Sequence, residues 1–261
     1  KTSSLRKVDI LKFRNNICKK AIAKGKSQPP YYFILPAEQH DTSELVRLVN
    51  LLKEHGVRIY QLSSNLELKG QLYKRGSIVV PLAQPFRAFV KEVLEKQNFP
   101  ARHYTPNGEL IKPYDITSWS LPLHRGLAFQ QIDKRFEILE NSLLEISGEF
   151  SRRNSLAEPT SLALYPVTNN DSYKAAFIAL GQGFKVERLN ENANDLEAPK
   201  GSFLISGSSS RLRLIENDLG ISPKYIDEKP TAATRQLQIP KIGLVETYFH
   251  DMDAGWTRHV L

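Results

Sequence analysis

The chain has 261 residues, 41% hydrophobic and 25% charged, with 36 lysines and arginines against 28 acids for a net charge of +8. That balance is ordinary for a folded globular protein, with room for one large domain or two small ones, each with its own core. The single cysteine, Cys18, excludes an internal disulfide and a cysteine-based zinc knuckle, and no apolar run reaches the ~20 residues of a membrane span.

The charge is unevenly placed. Residues 1–28 hold nine basic residues and one acid, Asp9, which leaves 27 basic and 27 acidic residues for the rest of the chain. A nucleic-acid-binding domain carries its cations on the folded body, so no nucleic-acid partner is expected here. Residues 5–24 read as a helix with a solvated basic side. Leu5, Val8, Leu11, Cys18 and Ile22 share the face that would pack on the following unit, and Gly25 would end it.

After the rigid Pro29-Pro30 lead, Tyr32 to Leu35 is an apolar strand stopped by Pro36. Asp41-Thr42-Ser43-Glu44 opens a helix with a capping-box pattern, Leu45, Leu48, Val49 and Leu52 form its stripe, and Gly56 closes it. Val57, Ile59 and Leu62 begin a strand. A hairpin then returns through Arg75-Gly76 into Ser77 to Val80, apolar enough for a strand covered on both faces. Gln84-Pro85 predicts the start of a helix with Phe86, Phe89, Val90, Val93 and Leu94 as its stripe. Residues 98–128, broken by Pro100, Pro106, Pro113 and Pro122 but rich in aromatics, read as a long ordered loop. Such a loop could form a ligand-facing lip or plug one edge of the sheet. Residues 129–150 read as extended, and Ser151 to Thr160 as a linker.

The same landmarks then recur in order. Leu162 to Pro166 matches Phe33 to Pro36, and Asp171-Ser172 matches Asp41-Thr42. Gly183 to Val186 matches Gly56 to Ile59, and Lys200 to Ile205 matches Arg75 to Val80. This predicts an internal repeat of two related Rossmann-like, three-layer α/β units. The boundaries are a basic helix at 1–28, a first unit at 29–150, a second at 151–240, and the start of a further strand-helix element at 241–261. In the second unit Tyr173, Ala176, Phe177 and Leu180 form the predicted helix stripe. Gly207 to Ser210 leads into a short helix ending near Gly220, and residues 222–238 show little periodicity.

The chemistry is sparse. No histidine lies in H-E-x-x-H, and there is no G-x-S-x-G elbow or G-x-x-x-x-G-K-[ST] loop. His250 and Asp253 have a metal-like spacing without a third ligand. Asp41 and Asp171 read as helix caps rather than an acid pair. No catalytic or metal-ligating residue is assigned, and Cys18 reads as a packed small hydrophobe. The residues with ligand-binding character are Tyr104, Tyr114, Asp115 and Trp119 in the long loop and Ser208 and Ser209 in the small-residue turn before a helix.

Three stretches resemble the region after the catalytic domain of bacterial M14-family zinc carboxypeptidases: Pro29 to Gln39, Arg75 to Arg87 and Tyr114 to Leu123. Ile242 to Glu246 and Asp251 to Arg258 resemble the opening of a class I glutamine-amidotransferase-like domain. None of that family's zinc ligands can be placed here, and the amidotransferase-like nucleophile would lie beyond Leu261. The resemblance implies a non-catalytic accessory region, for scaffolding or substrate recognition, in a longer proteolytic protein. It implies zinc only in the parent's catalytic domain, and no cofactor in this chain. The implied partners are that upstream catalytic domain, the downstream amidotransferase-like domain and a peptide substrate, in a periplasmic or extracellular setting. The alternative from the residues alone is an independent Rossmann-like module for a small ligand or anion.

Overall fold

The computed structural model describes residues 2–98, 100–112, 119–153, 158–245 and 251–260. The chain is a mixed α/β protein built on two five-stranded sheets. A short helix α1 (Thr2–Leu5) and the long α2 (Lys7–Ser27) lead into β1 (Tyr32–Leu35), α3 (Thr42–Glu54) and β2 (Tyr60–Leu62). A hairpin of β3 (Leu66–Leu68) and β4 (Gln71–Tyr73) precedes β5 (Ile78–Pro81). It is followed by α4 (Arg87–Leu94), α5 (Leu121–His124), β6 (Gln130–Ile132), α6 (Glu137–Glu140) and β7 (Leu143–Glu145). The second half runs β8 (Leu162–Tyr165), α7 (Asn170–Gly181), β9 (Lys185–Leu189), β10 (Phe203–Ser206), α8 (Ser209–Asn217), β11 (Lys224–Ile226), β12 (Thr234–Gln236) and α9 (Asp251–Val260).

The sheet orders are β6-β1-β5-β2-β7 and β11-β8-β10-β9-β12. In chain order these are the same arrangement. The first two strands and their helix form a split β-α-β unit, the next strand inserts between them, and the last two add at the edges. All neighbouring strands pair antiparallel, as in Phe33 with Val80 and Ile205 with Val186. The Rossmann-like expectation therefore does not describe these sheets, which lack the parallel switch point where such folds bind ligands. Nor do long helices layer both faces. In the first unit α3 and α4 cover Phe33, Leu35, Ile78 and Val80, while the β3–β4 hairpin and α6 cover Tyr32, Ile34 and Val79. In the second, α7 and α8 cover Ala163, Val186 and Ile205, and the loop bearing Ala193 and Ala198 covers Leu164, Leu189 and Leu204.

The likeness extends to hydrogen bonds. Ser77 Oγ accepts from the Ala37 amide and donates to the Lys74 carbonyl, and Ser202 Oγ does the same with Val167 and Pro199. Asn65 Oδ1 accepts from the Arg75 amide at 2.8 Å, and Asn192 Oδ1 from the Lys200 amide at 2.7 Å. Both main helices end in a Schellman turn. Gly56 (φ 77°) and Gly183 (φ 76°) take the left-handed position, and the next amide, of Val57 or Phe184, bonds back to Leu52 or Ala179.

Several expectations are corrected. Gly25 lies inside α2, not at its end, because a flat helix surface is needed there: a Cβ would stand 2.1 Å from the Leu82 carbonyl oxygen. Up to Ile17 that helix is exposed and does not pack on the unit, while Cys18 and Ile22 are half-buried. Helix α4 starts at Arg87, since the Gln84 side chain is committed to Arg58 and Pro81 and holds that turn open. Helix α7 buries Ala175, Ala176 and Ala179, leaving Tyr173 and Phe177 at the rim. Residues 222–238 hold the short strands β11 and β12. Residues 241–245 form no strand, and α9 already begins at Asp251.

Candidate functional site

Proline-stopped strands β1 and β8 each throw the chain into a loop that starts a helix, and the two helix N-termini meet between the units. Their exposed amide groups need acceptors, and each helix supplies the other's. Asp41 Oδ1 accepts from the Glu44 amide of its own helix at 3.1 Å, and its Oδ2 accepts from the Asn170 amide of α7 at 2.9 Å. In return Asn169 Oδ1 accepts from the Thr42 amide of α3 at 2.8 Å. Ser43 Oγ accepts from the Asp171 amide at 3.3 Å. The caps are thus exchanged about an approximate two-fold relation between the units.

Asp171 therefore caps nothing with its side chain. The loop before α7 is two residues shorter than its counterpart, so Asn169 takes the cap position and Asp171 moves into the first turn. Its carboxylate accepts from the Gly220 amide at 2.8 Å and pairs with Arg47, which also reaches Glu44 Oε1 at 2.5 Å. Arg125, from the end of α5, pairs with Glu44 Oε2 at 2.5 Å, and Asn170 Nδ2 adds a bond of 3.1 Å to Glu44. Burial pushes the Glu44 carboxyl up, but the hydrogen bonds from Asn170, Arg47 and Arg125 outweigh it together and hold the group below its ordinary value. A second clasp lies nearby. The Arg152 amide bonds to the Gly220 carbonyl at 3.1 Å while its guanidinium donates to the Gly76 carbonyl across the junction.

Beside this junction opens a cleft of about 490 Å³ between α3, the 149–153 segment and the ends of α7 and α8. Arg47, Arg125, Arg153 and Lys174 line it together with Glu54, Glu149, Asp171 and Asp218, so its walls carry both signs equally. Arg153 and Lys174 donate to the Asn217 and Asp218 carbonyls, at 3.2 and 2.8 Å. These groups can neutralise and orient one another. The Ser43 hydroxyl in its wall donates to Asp41 Oδ1 at 2.5 Å, and among the described residues no group of three His, Cys, Asp or Glu stands close enough to hold a metal ion.

The residues read from sequence as ligand-binding are not gathered here. Trp119 lines a separate polar cleft of about 510 Å³ with Glu92, Glu95 and Lys96 at the end of α4. Tyr104 is 73% exposed beside the His103–Leu110 bridge, so these two aromatics neither plug the sheet edge nor face one pocket. Ser208 and Ser209 sit exposed at the start of α8 and do not line Trp119's cleft, with Ser208 Oγ 3.4 Å from Ser210 Oγ. Tyr114, Asp115 and His250 lie outside the described residues. Of the junction groups, Arg47 carried a signal, being three residues after Glu44 on a predicted helix. Arg125 and Asn169 carried none, because their partners are 81 and 127 residues away in sequence.

Among the described residues no helix is long and apolar enough to cross a membrane. No protein-family model, curated protein or solved structure matches the chain.

Proposed function

We propose that this chain is a non-catalytic scaffold within a longer zinc metallocarboxypeptidase-like protein, holding neighbouring domains of that protein in register outside the cytoplasm. The observation that carries the scaffold reading is the exchange of helix caps between α3 and α7. Asp41, Glu44, Asp171, Arg47 and Arg125, the charged groups a site between the units would draw on, are spent on one another and on backbone amides. Interlocked polar groups of this kind fix orientation more than they add stability, which is what a spacer between domains requires. The carboxypeptidase relationship rests on the resemblance of residues 29–39, 75–87 and 114–123, and the amidotransferase-like neighbour on residues 242–246 and 251–258. In that reading zinc and the peptide-cleaving groups belong to the upstream domain.

The test is direct. The purified chain, incubated with zinc and with peptides bearing free C-termini, is expected to release no terminal residue, and the reading frame ahead of it is expected to encode a His-x-x-Glu pair. Release of amino acids by the isolated chain would overturn the scaffold reading. A frame with no such pair would overturn the carboxypeptidase relationship and leave the scaffold reading standing.

A further inference from the structure

The long helix α2 is built unlike the rest of the molecule. At 1.5 Å per residue its 21 residues extend about 30 Å, yet burial is confined to its C-terminal part, with Cys18, Ala21 and Ile22 half-buried and Gly25 buried. Gly25 packs on the backbone of Leu82 and Ala83, and Arg87 donates to the Pro29 carbonyl at 3.0 Å. Every residue from Ser3 to Ile17 is exposed, including Phe13 at 67% and Leu11 at 66%. Residues 1–28 carry nine basic residues, seven of them in α2, against Asp9, whose ion pair with Arg6 at 3.5 Å neutralises one. A helix with so little internal charge pairing and so much uncovered apolar surface is marginal alone in water.

The placement of the side chains selects what covers it. Ile10, Phe13 and Ile17, at i, i+3 and i+7, make one apolar ridge, and Val8 and Leu11, continued by Cys18, make a second. Lys7 and Arg14, seven residues apart, run between the ridges. A lipid surface would have to swallow these two cations in order to reach both ridges, whereas interfacial helices keep cations on the opposite side. A nucleic-acid duplex offers phosphates but nothing to desolvate Phe13 and Leu11. A second copy of the helix brings like charge, and the remaining chain is charge-balanced. A polypeptide groove with apolar walls and a carboxylate floor satisfies both ridges and the cations between them.

We propose that α2 is a docking helix for such an acidic polypeptide groove, gripped along Ile10, Phe13 and Ile17 on one flank and Val8 and Leu11 on the other, with carboxylates facing Lys7 and Arg14. This docking does not depend on the carboxypeptidase relationship. The probe is a synthetic two-helix hairpin with a leucine-lined groove and glutamates along its floor, titrated against the full chain by fluorescence anisotropy. Vesicles of phosphatidylcholine with phosphatidylglycerol and a DNA duplex serve as rivals. Arg14→Glu or Lys7→Glu is expected to weaken hairpin binding about tenfold, and Phe13→Ser by a similar factor. Lys19→Glu, on the outer side, changes it less than about threefold. Far-UV circular dichroism of each variant checks that the helix is retained. Equal losses for Arg14→Glu and Lys19→Glu, tighter binding to the vesicles or the duplex than to the hairpin, or concentration-dependent self-association without the hairpin would each overturn the proposal.

Discussion

Helix α3 meets its sheet with Leu45, Leu48, Val49 and Leu52, all buried, whereas α7 buries Ala175, Ala176 and Ala179 and leaves Phe177 51% exposed. Counted from their caps, Asp41 and Asn169, Leu45 stands where Tyr173 does, Leu48 where Ala176 does and Val49 where Phe177 does. Because α7 is one residue shorter, its buried Ser172, Ala175, Ala176 and Ala179 stand, counted back from Gly183, where Leu45, Leu48, Val49 and Leu52 stand before Gly56. The outer covers differ as well. In the first unit the chain returns after α4, and Leu127, Phe129, Ile146 and Phe150 wrap the outer flank of α3. Asn50 fixes that wrap by exchanging hydrogen bonds with the Phe150 carbonyl and amide, both at 2.9 Å. The second unit passes from α8 to β11 through a short turn, so the same flank of α7 stays open. The sheet-facing positions are thus shared by the two helices, and the open flank leaves Phe177 half in solvent.

The sharpest way to break this comparison is to truncate one apolar residue on each helix. Leu48→Ala removes a fully buried side chain and is expected to cost about 2–5 kcal/mol in urea unfolding. Phe177→Ala, half in solvent, should cost under about 1 kcal/mol although more atoms are removed. Similar costs for both would show that α7 is covered in solution. The reverse graft follows. Ala176→Leu installs the first unit's residue at a position spaced for a methyl group, and overpacking should cost about 1–3 kcal/mol. A neutral outcome would mean that the second unit can take up the first unit's helix packing unaided.

These differences mark where the sequence was legible. Local rules carried far: β1 and β8 fall on the predicted apolar runs, Asp41 caps α3, and the glycines after α3 and α7 close them. The repeat was visible because its matched residues, Ser77 with Ser202 and Gly56 with Gly183, serve local turns that any reader of turn chemistry can find. Strand direction was not visible, because a buried apolar run such as Ile78 to Val80 looks the same whether its neighbours run parallel or antiparallel. The face of α7 was misread because Tyr173 and Phe177 look like core, and only the missing cover reveals otherwise. The junction stayed hidden because its partners come from opposite halves of the chain and its members, read singly, make ordinary caps and surface arginines.

The junction breaks the symmetry in a second, smaller way. Asp41 accepts from its own helix, from α7 and from Ser43, whereas Asn169 accepts from α3 alone among the backbone amides. Asp41→Ala should therefore cost about 2 kcal/mol and Asn169→Ala about 1 kcal/mol, with their double mutant falling short of the sum because both loosen the same contact. Equal single costs would mean that the caps are not shared across the units.

The smallest effect expected is that of acid, and it separates the junction from the body of the second unit. Glu44 at the junction and Glu187 on β9 are both raised by burial and more than lowered in return by their hydrogen bonds, Glu187 through Lys229 and Thr234. With the folded pKa below the ordinary 4.5, the unfolded chain binds more protons in the interval between the two. The stability each carboxylate adds is complete above that ordinary value and drains away as the pH falls through the folded one. Urea midpoints should fall between pH 5 and pH 3 by about the amount one or two such groups supply. Glu44→Gln should flatten part of that fall and Glu187→Gln another part. Only the Glu44 substitution should also change the acid dependence of the distance between the units, read by paired fluorophores on α4 and α8. If both substitutions alter that distance alike, acid acts on the whole fold and the junction is not a separate element of it.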